Sequence, residues 1–352
     1  MEKKLPAHLE EQRRFVHVGE EFPSDATTLS GADTFQTLGV TQHWDLKEFQ
    51  EHFKFEILRL TPDEIQFDLI GIDPAIANAF RRILIAEIPT VAIETVYVEN
   101  NTSVVQDEVL ANRLGLIPIL VNPALLQDRK PGDAPTDQDT IVFKLNVKCT
   151  RRPGIPEDSA NEEKFVNSSV YSGQLQWIPF GDQQARFGEC PPRPVHHDIL
   201  IAKMRPPQAM ELQCFAIRGI GKDHAKFSPV ATASYRLMPR VRLAKPVEGP
   251  AAESLKEACP LGVFDIEDGH AFVKNERNCS MCRECIRSVW RDRLGAEESA
   301  KLKDAVSLGR IKDHFIFTVE SSGILSPETL FKQALEILMA KLERIEGDLL
   351  QL

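Results

Sequence analysis

The sequence lacks any apolar run approaching the ~18 residues that crossing a bilayer requires, so no membrane-spanning segment is expected. Its first stretch, MEKKLPAHLEEQRRFVHVGEEF, has a charged start but none of the apolar core of a secretory signal. Secretion is therefore not expected, and the N-x-S/T sequons at Asn100, Asn101 and Asn167 are expected to stay unglycosylated. An excess of positive charge is missing too: 42 Lys and Arg stand against 52 Asp and Glu, for a net charge of −10. Proteins that grip phosphate backbones are normally basic. Direct, sequence-specific nucleic-acid binding is not expected, although a small local basic patch is compatible with this balance.

Catalytic signatures are scarce as well. RGIGKDHAKFSP fails as a phosphate-binding loop, because Ala216 stands where the first glycine is needed and Asp223 replaces the hydroxyl residue. No dinucleotide fingerprint occurs. His196, His197 and Asp198 have no further ligand at regular spacing and read as a solvated or hydrogen-bonded group. No nucleophile–base pairing stands out, so no catalytic residue is expected.

What is present is a 352-residue chain with a globular share of apolar residues, 42%, long enough for two domains or for one domain with a large insertion. Residues 1–45 show no clear period and read as a loosely ordered arm. HFKFEILRL then alternates Phe53, Phe55 and Ile57, TPD turns, and EIQFDLIGI alternates Ile65, Phe67 and Leu69: a β-hairpin with one buried face. In DPAIANAFRRILIAEIP, Asp73 caps and Pro74 starts a helix whose apolar face is Ile76, Phe80, Ile83 and Leu84; Pro89 stops it near Ile88. Strands follow at TVAIETVYV, at TIVFKLNVKC with Ile141, Phe143, Leu145 and Val147 alternating, at DILIAK, MELQCFAIRG and HFIFTVES. LQDRKPGDAPTDQDT and TRRPGIPEDSANEEK are loop stretches rich in Pro, Gly and charge.

The C-terminus has the cleanest period. After Ser326 and Pro327, Phe331, Leu335, Leu338, Leu342, Ile345 and Leu349 recur every three or four residues, an a/d seam. Periodicity alone allows two readings: a helix packed on a partner's helix, or one buried on its own domain.

Cysteines are few, seven in all, yet three crowd into RNCSMCREC. In a reducing compartment these are thiols or metal ligands rather than disulfides. The C-x2-C-x2-C cadence of Cys279, Cys282 and Cys285 is that of iron–sulfur proteins, where one loop wraps several corners of a cluster. Zinc more often takes separated C-x2-C pairs. A ferredoxin run would complete itself with x3-C-P, but Val289 and Trp290 stand there. The matching Cys-Pro lies upstream at Cys259–Pro260, as in two-cluster ferredoxins. Cys259, Cys279, Cys282 and Cys285 are the expected ligands of one [4Fe–4S] cluster; zinc and no metal are the alternatives. Cys149, Cys190 and Cys214 read as core or strand residues.

Two long stretches carry a family resemblance. GIDPAIANAFRRILIAEIPTVAIETVYVENNTSVVQDEVLANRLGLIPI and RGIGKDHAKFSPVATASYRLMP resemble the α-like subunits of RNA polymerase, with wording nearest the form shared by eukaryotic polymerases I and III. The resemblance covers roughly residues 45–350. It implies an α+β protein with a discontinuous α-type dimerisation domain, residues 46–95 and 310–352. An inserted β-rich domain, 96–309, would carry a ferredoxin-like segment at 255–292. It also implies a non-catalytic assembly platform in the nucleus and nucleolus. Such a platform pairs with a smaller α-like subunit, receives the second-largest and largest subunits, and neighbours small zinc-binding subunits. Ile76, Phe80, Ile83, Phe331, Leu335, Leu338, Leu342 and Ile345 would line the dimer interface. NRLGLIPI, read as a turn rather than a helix end, would dock a large subunit through Arg113, Gly115 and Pro118, together with Arg81 and Arg82; the plainer reading is a connector with solvated arginines. Many eukaryotic members lack the four cysteines, so the cluster rests on their spacing alone. An RNA polymerase II or archaeal relative, and a free iron–sulfur electron carrier, are the alternative functions.

Overall fold

The computed structural model describes residues 6–26, 45–130, 132–156, 158 and 160–351. By contact the chain divides into two units, each discontinuous in sequence. The first gathers Met1–Arg59, Gln66–Ala79 and Ser234–Thr318; the second gathers Leu60–Ile65, Phe80–Ala233 and Val319–Leu352. The 255–292 stretch thus groups with the N-terminal strands rather than with residues 80–233.

The first unit is built on a six-stranded sheet. Its order is Pro23–Ser24, Phe15–Val18, Val306–Ser321, Glu64–Ile70 and Lys54–Leu60, with Val230–Leu243 also paired to Val306–Ser321. Its centre is aromatic. Phe67 stacks on Phe317 with ring centroids 5.1 Å apart, and Tyr235 meets both Phe315 and Phe317. The expected hairpin forms, and Ile65, Phe67 and Leu69 are its buried face. Its other strand departs from expectation: every residue of Lys54–Leu60 is exposed, Phe55 and Ile57 included. The physical reason is its place at the edge of the sheet: among the described residues it has a strand neighbour on one side only.

The N-terminal arm also departs from expectation where it is described. Ala7–Arg14 is a helix, and Phe15–Val18 pairs antiparallel with Leu308–Ile311. Charged side chains hold it down: the Arg240 guanidinium lies 3.4 Å from the Phe15 ring centroid and bonds Glu11, while Lys312 Nζ donates to the Gln12 carbonyl. Hydrogen bonds made by charged groups are worth roughly 1.5–3 kcal/mol each, which local propensity could not reveal. Residues 1–5 and 27–44 of the expected arm lie outside the described residues.

The second unit has a four-stranded sheet ordered Gln176–Trp177, Thr140–Lys148, Ala209–Ile220 and Pro89–Asn101. Period-2 alternation along its central strand buries Met210, Leu212, Cys214 and Ala216. Leu145, Phe143 and Ile141 stand opposite the last three. Burial pushes the Cys214 thiol up to about 12, as befits a core residue. Cys149 is buried too, but Cys190 is exposed in a bend, outside any strand.

The GIGK stretch fixes the end of the helix Pro74–Ala86. Lys222 N–H donates to the Ala86 carbonyl at 2.8 Å, capping it. That approach requires glycine at 221, where an added Cβ would overlap the Ile85 carbonyl oxygen. Gly221→Ala is expected to cost about 1–3 kcal/mol by overpacking, read as a lower urea midpoint. Gly347→Ala, with nothing within 4 Å of the added methyl, is expected to hold or slightly raise it.

Candidate functional site

Two features stand out, one in each unit. In the second unit, Ser326 accepts from the Thr329 N–H, Pro327 opens the helix, and it runs as Pro327–Leu349. Its first turns dock inward. Leu330 and Ala334 are fully buried, and Phe331 meets Phe80 edge-on with centroids 5.1 Å apart. Beyond them the apolar side turns to water: Leu335 is 41% exposed, Met339 59%, Leu342 59%, Ile345 51% and Leu349 65%. Leu338 is half-buried.

The expected interface residues therefore sort into two groups. Phe80, Ile83 and Phe331 serve the chain's own core, because Phe80 and Phe331 are each other's partners. Leu335, Leu342 and Ile345 form an outward stripe, joined by Met339, which strict a/d spacing passes over. Ile76, near the start of the Pro74–Ala86 helix, is 49% exposed.

The NRLGLIPI segment is also corrected: residues 112–115 are the last turn of the helix Asp107–Gly115. Leu110 and Leu114 are buried beneath it, which keeps the helix going to Gly115. Arg113 donates to the carbonyls of Leu200 and Ile201 at 2.5 and 3.2 Å, so its hydrogen bonding is internal. Gly115 is buried; a Cβ there would lie 3.3 Å from the Ile93 carbonyl oxygen, to which Lys226 Nζ donates. Pro118 is half-buried and its carbonyl accepts from Val195 N–H. Beside the exposed Asn112 and Arg113, the turn presents Leu116 to solvent, 57% exposed. Arg82 is exposed and Arg81 half-buried.

In the first unit the four cysteines converge on one pocket. Cys259 caps the helix Pro250–Ala258, and Cys279, Cys282 and Cys285 lie on the loop after Glu276–Asn278. All four line the same pocket, walled by Val241, Leu261, Val263, Phe264 and Leu308. The loop bends inward at Met281 (φ 61°) and Arg283 (φ 69°), one residue before Cys282 and one after it. Non-glycine residues rarely adopt this left-handed backbone, and it concentrates at functional sites. Burial pushes the Cys285 thiol up to about 12, with the charges of the other three cysteines adding to it; burial raises Cys279 as well. Cys282 is exposed. Among the described residues, no group of three or more His, Cys, Asp or Glu side chains is drawn together closely enough to hold a metal ion as it stands.

Polar contacts from near and distant segments hold the loop. Trp290 Nε1 donates to the Cys285 carbonyl at 2.8 Å, and Ser254 Oγ donates to the Trp290 carbonyl. Arg236 donates to the Arg277 carbonyl at 2.8 Å. Arg277 forks onto both oxygens of buried Asp68 at 2.7 and 2.8 Å, and His314 Nε2 lies 2.9 Å from the same carboxylate. Burial alone would raise the Asp68 pKa; the Arg277 and His314 hydrogen bonds outweigh it and hold Asp68 below the usual carboxylate range. Because the folded value lies below that of an unfolded Asp, about 3.9, the clamp stabilises fully above that pH. Its contribution fades as pH falls through the folded pKa. Arg277→Ala strands a buried carboxylate and is expected to cost about 3 kcal/mol near neutrality. Urea midpoints measured from pH 7 downward should show the gap between variant and wild type closing below about pH 4.

Similarity to known proteins bears on the first of these features. A family model for the RNA polymerase Rpb3/Rpb11 dimerisation domain matches residues 66–342. A Mus musculus protein, DNA-directed RNA polymerases I and III subunit RPAC1, is 46% identical over 347 residues, covering 97% of this chain and 96% of its own. The Saccharomyces cerevisiae protein of that name is 46% identical over 311 residues, covering 86% and 90%. The Dictyostelium discoideum DNA-directed RNA polymerase II subunit rpb3 is 33% identical over 308 residues, covering 84% and 94%.

Proposed function

Because the chain belongs to the Rpb3/Rpb11 dimerisation family of RNA polymerase subunits, we propose that it is the α-like assembly subunit of nuclear RNA polymerases I and III. In this reading it pairs with a smaller α-like subunit and receives the second-largest and largest subunits, beside the small zinc-binding subunits. It performs no catalysis itself and resides in the nucleus and nucleolus. The higher identity to the I and III relatives than to the polymerase II relative supports this choice.

The observation that carries the proposal is the stripe Leu335, Met339, Leu342, Ile345 and Leu349. Each such side chain gains about 1.5–3 kcal/mol when buried, and a facing helix with the same period covers all five together. Leu342→Asp with Ile345→Asp is expected to weaken pairing with the small α-like subunit by roughly a hundredfold or more, read by co-purification. A second variant, Arg82→Glu with Leu116→Asp, is expected to keep that pairing and lose the second-largest subunit. Full recovery of the pair by the first variant contradicts the dimer assignment; full recovery of the large subunit by the second contradicts the docking assignment.

We also infer that Cys259, Cys279, Cys282 and Cys285 hold one [4Fe–4S] cluster with a structural role. The residues fit the group: four thiols share an apolar pocket, and a doubly bent loop carries three of them. When bound, the cluster supplies cross-links that add folding energy to a loop-rich segment. Anaerobic purification of the full chain should return iron and acid-labile sulfide in equal amounts, both lost in Cys282→Ser. Stoichiometric zinc without sulfide would overturn the assignment.

A further inference from the structure

We propose that residues 15–24 are a strap over the cysteine centre, fastened by Arg283, and that cluster occupancy and strap docking stabilise each other. The inference rests on the reading of the four cysteines as cluster ligands. It gives the N-terminal segment a task that no motif in it announces.

Three contacts carry it. Arg283 stands between Cys282 and Cys285 and lines their pocket. Its Nη1 reaches back to donate to the carbonyls of Glu20 and Glu21, at 3.0 Å each. These carbonyls lie in the turn between Phe15–Val18 and Pro23–Ser24, a turn closed by Gly19 N–H on the Phe22 carbonyl. The second contact is apolar. Val18 packs on the core that contains Cys279, Cys285 and Trp290, and its partner across the sheet, Leu308, is a wall of the cysteine pocket. The third comes from beyond the last cysteine: buried Arg291 holds its Nη2 4.0 Å from the Glu20 carboxylate, and its Nε has no hydrogen-bond partner among the described residues. One short turn thus meets the loop from within the cysteine run and from behind it.

The coupling follows from the backbone of Arg283. At φ 69° an arginine sits in a conformation it rarely adopts. The direction of its side chain therefore depends on the loop keeping its ligand-bearing shape. A loop released from its ligand relaxes and withdraws the guanidinium from the two carbonyls. Linkage is reciprocal, so a strap steadied by the filled centre steadies the filled centre in return. The strap holds the backbone between Cys282 and Cys285 and leaves the Cys282 side chain itself exposed.

The test uses the full chain, purified anaerobically, with iron release to a chelator followed by absorbance. Arg283→Ala removes two charge-assisted hydrogen bonds, so release is expected to be about tenfold faster than in wild type. Hydrogen exchange gives a second readout that needs no arginine variant: amides of residues 15–24 should exchange faster once wild type is stripped of iron. Equal release rates, with unchanged exchange at 15–24 on stripping, would overturn the strap while leaving the cluster intact. A folded wild-type chain that carries no iron defeats the cluster reading, and the strap with it.

Discussion

Leu335, Met339, Leu342, Ile345 and Leu349 recur along one side of the C-terminal helix, and no described residue of the chain buries them. Together they withhold several side chains' worth of burial, at about 1.5–3 kcal/mol each. The helix bearing them is not loose. Leu330, Phe331 and Ala334 anchor its first turns in the second unit, Phe331 against Phe80, and Lys341 bonds Glu87 further along. A rigid, uncovered apolar stripe is pre-organised for a partner, which lowers the ordering cost of association. Other contacts in the second unit fix the neighbouring elements. Gly221 and Lys222 cap the Pro74–Ala86 helix that supplies Phe80, and Lys226 supports the strand beneath the Leu116 turn. The GIGKDHAK stretch looked like a failed phosphate loop; its work is to hold these two surfaces in shape.

The first unit solves a different problem. Its cysteine loop sends Cys279 and Cys285 into the core and is held further by clamps: the Asp68–Arg277 fork, the Arg236 contact and the Trp290 hydrogen bond. The proposed cluster adds one more clamp from inside, and the strap one from outside. On the proposal made above, a cluster held by the four cysteines would add cross-links to a loop that otherwise depends on these contacts.

Much of this was legible in the sequence, and the exceptions have physical causes. The alternation at Ile141–Val147 and Met210–Ala216 marked core strands because each has two buried neighbours. The spacing of Cys279, Cys282 and Cys285, with Cys259–Pro260 upstream, singled out the four residues that share a pocket. Periodicity marked the C-terminal helix but not the side its own chain covers; hence Phe80, Ile83 and Phe331 face inward while Met339 faces out. The exposure of Phe55 and Ile57 follows from an edge position that a local pattern does not encode. The Asp68–Arg277 clamp joins residues 209 apart, and the N-terminal helix and strand depend on Arg240 and Lys312. Such long-range pairs leave no periodic trace.

The assembly role requires the outward stripe to be an interface. Hydrogen exchange of the full chain, with and without the small α-like subunit, measures this directly. Exchange should slow across residues 335–349 when the partner is added, with the strand Ala209–Ile220 unchanged. Exchange across 335–349 that stays the same in a complex proven to form would contradict it.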